Sequence, residues 1–159
     1  MIGTMLQTND RAPAFSLPDQ DGNIRSLSEY AGTWLLLYFY PKDDTPGCTE
    51  EACSLRDNLS ALKAKGLTII GVSTDSVASH RKFADKHGLP FTLLADEKKE
   101  AVSAYGLWAE KSMYGKKYMG TLRSSFLIRP DGTIAKIYEK VKPGEHAAEI
   151  LHDMDDMIS

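Results

Sequence analysis

The two cysteines of this 159-residue chain stand at positions 48 and 53, inside Pro41-Lys42-Asp43-Asp44-Thr45-Pro46-Gly47-Cys48-Thr49-Glu50-Glu51-Ala52-Cys53. The chemistry open to such a pair is nucleophilic, and the nucleophile is the thiolate. A free thiol ionises near pH 8.5, and a helix N-terminus or a neighbouring cation lowers that value. Thr45 suits an N-cap and Pro46 the first helical position. Cys48 is therefore expected in the first turn of a helix, where free backbone N–H groups and the helix dipole favour an anion. Glu50 and Glu51 act in the opposite direction, because nearby negative charge disfavours a thiolate. A cation brought from elsewhere in the chain is expected, and Arg123 is the candidate. The competing reading, a small buried and inert thiol, fits poorly with a polar turn between strand and helix.

The spacing carries its own information. In a regular helix, α-carbons five residues apart lie roughly 8.5 Å from each other, whereas a disulfide tolerates no more than about 7 Å. A permanent bridge between Cys48 and Cys53 is disfavoured, and a transient one requires the first turns of the helix to unwind. Gly47 and the short polar residues around it make that opening easier. Structural zinc normally takes four cysteine or histidine ligands at recognisable spacings. Here two cysteines stand far in sequence from His80, His87, His146 and His152; His80 and His87 could share a helix face, and surface positions explain them about as well. No metal and no other cofactor are expected. A phosphate-binding glycine loop and a Ser/His/Asp pattern are both missing at motif level. A thiol–disulfide reductase would normally carry Cys-x-x-Cys, and the four residues between these cysteines argue against it. A non-enzymatic redox sensor using the same sulfur stays open.

The elements that must position these groups follow from periodicity. Short alternations from Phe15 to Leu27 flank Asp21-Gly22, a hairpin turn. Trp34 to Tyr40 is a continuous apolar and aromatic run, as in a central strand covered on both faces. Ala52, Leu55, Leu59 and Leu62 then recur at helical spacing up to Gly66. Leu67 to Val72 reads as a strand, Val77 to His87 as a helix closed by Gly88, Phe91 to Leu94 as a strand and Lys98 to Tyr105 as a weak helix. A long polar, glycine-containing loop is expected next. Ser125 to Arg129 and Ile134 to Tyr138 flank Pro130-Asp131-Gly132 as a hairpin. Ala147, Ile150, Leu151, Met154 and Ile158 share one face of a last helix. Parallel β-α-β units followed by an antiparallel hairpin and a helix imply an α/β fold with a mixed sheet and helices on both faces. The junction holding Cys48 falls at the carboxyl end of the central strand, a favoured ligand position in open α/β sheets.

The whole chain, residues 1–159, reads as one domain. Its net charge of −3 and its interspersed charges give nucleic acid no basic face to bind. Lys111, Lys116 and Lys117 read as a solvated loop. The N-terminus lacks a basic stretch followed by an apolar one, and the Trp34–Tyr40 run is far too short to span a bilayer. A cytoplasmic protein without membrane association is expected, and in that compartment a close cysteine pair is more often metal-binding or catalytic than structural.

The segment from Pro41 to Cys53 resembles the active-site segment of peroxiredoxins, and most of all that of the peroxiredoxin Q branch, also called bacterioferritin comigratory protein. The resemblance extends to Ala12-Pro13 with Phe15 and Leu17, to Asp21-Gly22, to Phe39-Tyr40-Pro41 and to Arg123-Ser124-Ser125-Phe126-Leu127-Ile128. It implies a thioredoxin-like three-layer sandwich with a mixed central sheet and an N-terminal β-hairpin extension. It further implies a thiol-dependent peroxidase of the atypical 2-Cys type, acting on hydrogen peroxide and organic hydroperoxides in redox homeostasis and antioxidant defence. Cys48 would be the peroxidatic cysteine and Cys53 the resolving cysteine of the same chain. Thr45, Arg123 and Pro41 would surround the sulfur, and Glu51 would orient Arg123. Thioredoxin or a similar dithiol would return the electrons to a protein that is monomeric in many members of this branch.

Overall fold

The computed structural model describes residues 4–158. A five-stranded sheet in the order β5-β4-β3-β8-β9 forms its centre. β3 (Trp34–Phe39), the apolar run of the sequence, lies in the middle. It pairs in parallel with β4 (Leu67–Ser73) and antiparallel with β8 (Ser124–Ile128). β5 (Thr92–Ala95) extends the parallel side and β9 (Ile134–Tyr138) the antiparallel side, so the sheet is mixed. Side chains alternate across β3 as a strand requires. Leu36, Tyr38 and Tyr40 enter one apolar cluster and Leu35, Leu37 and Phe39 the other.

The first cluster packs under α1 (Pro46–Asp57), α2 (Leu59–Ala64), α3 (Val77–His87) and α5 (His146–Ile158). The second is covered by α4 (Glu100–Ala104), a 3-10 turn at Leu27–Tyr30 and the N-terminal hairpin β1 (Ser16–Pro18) and β2 (Ile24–Ser26). This geometry follows from chain direction. Two right-handed crossovers, β3-α-β4 and β4-α-β5, advance the same way along the sheet and so lay their helices on the same face.

Two sequence expectations need correction. The apolar stripe through Ala52, Leu55, Leu59 and Leu62 spans two helices, broken at Asn58. There the Asn58 side chain donates to the Ser54 carbonyl at 2.8 Å, the kind of local bond by which asparagine competes with the helix ladder. The expected loop after Tyr105 is instead a hairpin, β6 (Trp108–Met113) paired with β7 (Lys116–Thr121). Its two-residue turn, Tyr114–Gly115, has both φ angles positive, 52° and 77°, as a type I′ turn demands. Tyrosine is an unusual first residue for such a turn, and the exposed strands show no apolar alternation, so neither local signal announced it. The hairpin is anchored at its base, where the Leu122 N–H donates to the Leu107 carbonyl at 2.8 Å.

Candidate functional site

α1 begins where β3 has ended and residues 41–45 have turned the chain. Thr45 has the extended backbone of an N-cap, and Pro46 is the first helical residue. The Thr45 side chain is not the expected cap, because it makes no capping bond. Its hydroxyl instead donates backwards to the Lys42 carbonyl at 2.8 Å. The first-turn N–H groups of α1, which have no intrahelical acceptors, therefore gain none from Thr45. Pro41, half-buried, starts the turn between β3 and α1.

Cys48 sits in that first turn, 2% exposed at the edge of the larger apolar cluster. The sulfur is not enclosed by apolar groups alone. Arg123 Nη2 lies 3.2 Å from Cys48 Sγ, and Arg123 Nη1 lies 2.7 Å from Glu51 Oε1. One guanidinium thus bridges a thiol and a carboxylate held one helical turn apart. Gly47 makes the approach possible, since a β-carbon there would stand 3.1 Å from Arg123 Nη2. Arg123 arrives on the short connection from β7 to β8, so the unexpected hairpin carries the cation to the sulfur. Cys53 is half-buried in the same helix, and both cysteines are free thiols.

Glu51 is fully buried and its Oε2 has no hydrogen-bond partner among the described residues. Burial pushes its carboxyl up to about 7, against the downward pull of Arg123. Burial opposes the charge on Arg123, yet Cys48 and Glu51 beside it leave the guanidinium even harder to deprotonate than usual. The Glu51 value has a consequence for stability. The unfolded chain releases this proton near 4.5 whereas the folded protein keeps it to about 7. The carboxyl therefore contributes stability below pH 4.5 that is lost as pH rises toward 7. Glu51→Gln removes that dependence. Denaturant titrations from pH 4 to pH 8 are expected to show the wild type losing roughly 3 kcal/mol relative to the variant. Parallel profiles would contradict the burial argument.

The structure adds Lys111, which the sequence reading left in a solvated loop. It is half-buried on β6 and lines a cleft with Leu122, Arg123, Ser124, Glu139, Lys140 and Val141. Burial and the charge of Arg123 push its ammonium below the usual lysine range, and Cys48 pulls it back up. Gly120 leaves room for its stem, since a β-carbon there would meet Lys111 Cδ at 3.2 Å. Only recognition of the β6–β7 hairpin would have brought Lys111 to notice. For His80 the structure decides between the two readings. The residue is fully buried rather than at the surface, because α3 turns His80, Phe83 and Ala84 inward at helical spacing. His80, Asp43 and Asp75 place potential ligand atoms within 4.8 Å of one another. Those atoms are already engaged in hydrogen bonds with one another and with neighbouring hydroxyl and backbone groups.

Comparison with known proteins gives a consistent picture. The AhpC/TSA family matches residues 8–137. Peroxiredoxin Bcp of Escherichia coli is 46% identical over 147 residues, covering 92% of this chain and 94% of that one. Among solved structures, a mutant PrxQ of Xylella fastidiosa is 34% identical with a TM-score of 0.92, covering 99% of this chain and 100% of that chain. The bacterioferritin comigratory protein of Xanthomonas campestris, a protein described for alkyl peroxide reduction, is 36% identical with a TM-score of 0.87, covering 98% and 99%.

Proposed function

Because the chain belongs to the AhpC/TSA family, as a peroxiredoxin of the Bcp/PrxQ branch and hence a thiol peroxidase, we propose that Cys48 is the sulfur that attacks peroxide and Cys53 the sulfur that resolves it. The observation that carries this reading is the 3.2 Å contact from Arg123 to Cys48 at the start of α1. It sets a cation beside Cys48 in the first turn of a helix, where backbone N–H groups also favour an anion.

In the proposed reaction the Cys48 thiolate attacks one peroxide oxygen. An S–O bond forms, the O–O bond breaks, and the departing oxygen leaves as water or an alcohol after taking a proton. Arg123 holds the sulfur ionised and donates to the peroxide oxygens as charge moves onto them. The Thr45 hydroxyl and the Cys48 N–H align the peroxide, and Pro41 limits water at the sulfur. Lys111 adds a second positive charge beside the pair. The Cys53 thiol then displaces hydroxide from the sulfenic acid as water and forms an intramolecular disulfide. Thioredoxin or a similar dithiol reduces that bond. Hydrogen peroxide and organic hydroperoxides are the proposed substrates, the cytoplasm the proposed site of action, and a monomer the proposed working form. Among the described residues no helix is long and apolar enough to cross a membrane.

The test is peroxide consumption coupled to thioredoxin and its reductase, with a dimedone-type probe to trap sulfenic acid. The expected result is turnover with the adduct on Cys48, and loss of both signals in Cys48→Ser. Insulin reduction without peroxide consumption would replace this reading with a thiol–disulfide reductase.

A further inference from the structure

Five residues upstream of the reactive sulfur, Asp43 points inward and is 7% exposed. Three donors converge on its carboxylate. The Tyr40 hydroxyl donates to Oδ1 at 2.6 Å, and the Ser79 hydroxyl to Oδ2 at 2.8 Å. His80 Nδ1 faces Oδ2 at 2.7 Å. The other ring nitrogen, Nε2, faces the Leu94 carbonyl at 2.8 Å. A carbonyl has no proton to give, so Nε2 carries one, and a further proton lies between Nδ1 and the Asp43 carboxylate. The Asp43 N–H donates to Asp75 Oδ2 at 2.9 Å, and the Ser73 hydroxyl holds that same oxygen at 2.6 Å. The side chain of residue 43 is therefore tied to Tyr40 and to α3, and its backbone to Asp75 just after β4, which Ser73 of β4 holds in turn. None of these partners belongs to α1.

The next residue is bent. Asp44 has φ 57°, in the left-handed region, and its exposed carboxylate contacts Lys86 at 2.8 Å and His87 at 3.1 Å. The backbone reverses there immediately before Thr45, so a small shift at residue 43 would swing Thr45 and the first turn of α1. A buried ion pair is a poor way to stabilise a fold, because desolvation offsets most of the attraction. What this one supplies is a direction and a fixed point.

We propose that Asp43 and His80 are positioning residues for the Cys48 reaction, and that residue 43 is the stationary end from which α1 unwinds when Cys53 moves to the oxidised sulfur. The proposal rests on the peroxidase reading above and deepens it. A fixed residue 43 keeps the peroxide-aligning groups in register during the first step. The disulfide step, in contrast, asks α1 to come apart, and a firm upstream anchor does nothing to speed it. Loosening the anchor therefore separates the two steps.

Stopped-flow fluorescence resolves them, because sulfenic acid formation depends on peroxide concentration and disulfide closure does not. Asp43→Asn leaves a single acceptor oxygen where three donors converge. It is expected to slow the peroxide-dependent phase by roughly 10- to 100-fold, as a displacement of about 1 Å does, while the closure phase stays constant or quickens. His80→Asn keeps one neutral donor toward Asp43 and is expected to fall between the variant and the wild type. Hydrogen exchange is expected to show faster amide exchange at residues 43–45 in Asp43→Asn, with the protection of β4 unchanged. Equal slowing of both phases, or unchanged rates in both variants, overturns the proposal. A wild-type protein with no peroxide-dependent phase overturns the peroxidase reading along with it, whereas a competent wild type with indifferent variants strikes only this one.

Discussion

Arg123→Ala is expected to lower the second-order rate of Cys48 oxidation by about 10²–10³-fold, equivalent to ~3–4 kcal/mol on the barrier. The size follows from the number of roles a single guanidinium fills. Its Nη2 lies 3.2 Å from the sulfur. Removing it takes away the cation that favours the thiolate and a donor to the oxygen that accumulates charge. It also takes from the fully buried Glu51 the donor to its Oε1. With the downward pull of Arg123 gone, the buried Glu51 carboxyl holds its proton and stands neutral beside the sulfur, so adding Glu51→Gln to Arg123→Ala is expected to change the rate little. Rates measured by competition for hydrogen peroxide, together with thiolate absorbance across pH, separate the two roles. A variant with unchanged thiolate absorbance and an unchanged rate would remove the electrostatic basis of the mechanism. Lys111→Gln is expected to have a smaller effect of the same sign.

The second large effect belongs to Cys53→Ser. Peroxide-dependent oxidation in the first turnover is expected to match the wild type, while thioredoxin-supported cycling is lost. Cys53 is half-buried in α1, five residues beyond Cys48, and the near-isosteric serine is expected to leave the arrangement around Cys48 intact. Without a resolving thiol the sulfenic acid persists and is driven to sulfinic acid by excess peroxide. Mass spectrometry of the intact chain after a single and a tenfold peroxide excess distinguishes these states. Oxidation equally slow in Cys53→Ser and Cys48→Ser would contradict the division of labour. On the proposed mechanism the two sulfurs must act in sequence. Both lie in the intact twelve-residue α1, where a pair five apart is roughly 8.5 Å between α-carbons, beyond the reach of a disulfide. Closure must wait for the helix to open.

Local patterns exposed much of this protein. The alternation hidden in Trp34–Tyr40 and the helical recurrence from Ala52 onward are short-range signals, as are the turn residues Asp21-Gly22 and Pro130-Asp131-Gly132. They suffice to order most elements along the chain and to place Cys48 at a strand-to-helix junction. Signals that depend on long-range partners were silent or misleading. Thr45 has the residue type of a capping side chain, but its hydroxyl found the Lys42 carbonyl instead. His80 shares the inward face of α3 with Phe83 and Ala84, but the carboxylate that it faces there, Asp43, stands 37 residues away. Lys111 looked solvated because the β6–β7 hairpin lacks an apolar face and turns at a tyrosine.

The sequence by itself determined which atoms can react, and that the second sulfur cannot reach the first without a conformational change. Both are properties of residue type and of helix geometry over a few residues. Only the tertiary structure decided that Arg123 meets Cys48 across 75 positions, that Glu51 is sealed beside them, and that Asp43 is held from α3. Periodicity records which side of an element is apolar, but not which distant element will cover it, and the charge balance at a buried sulfur is set by that second fact.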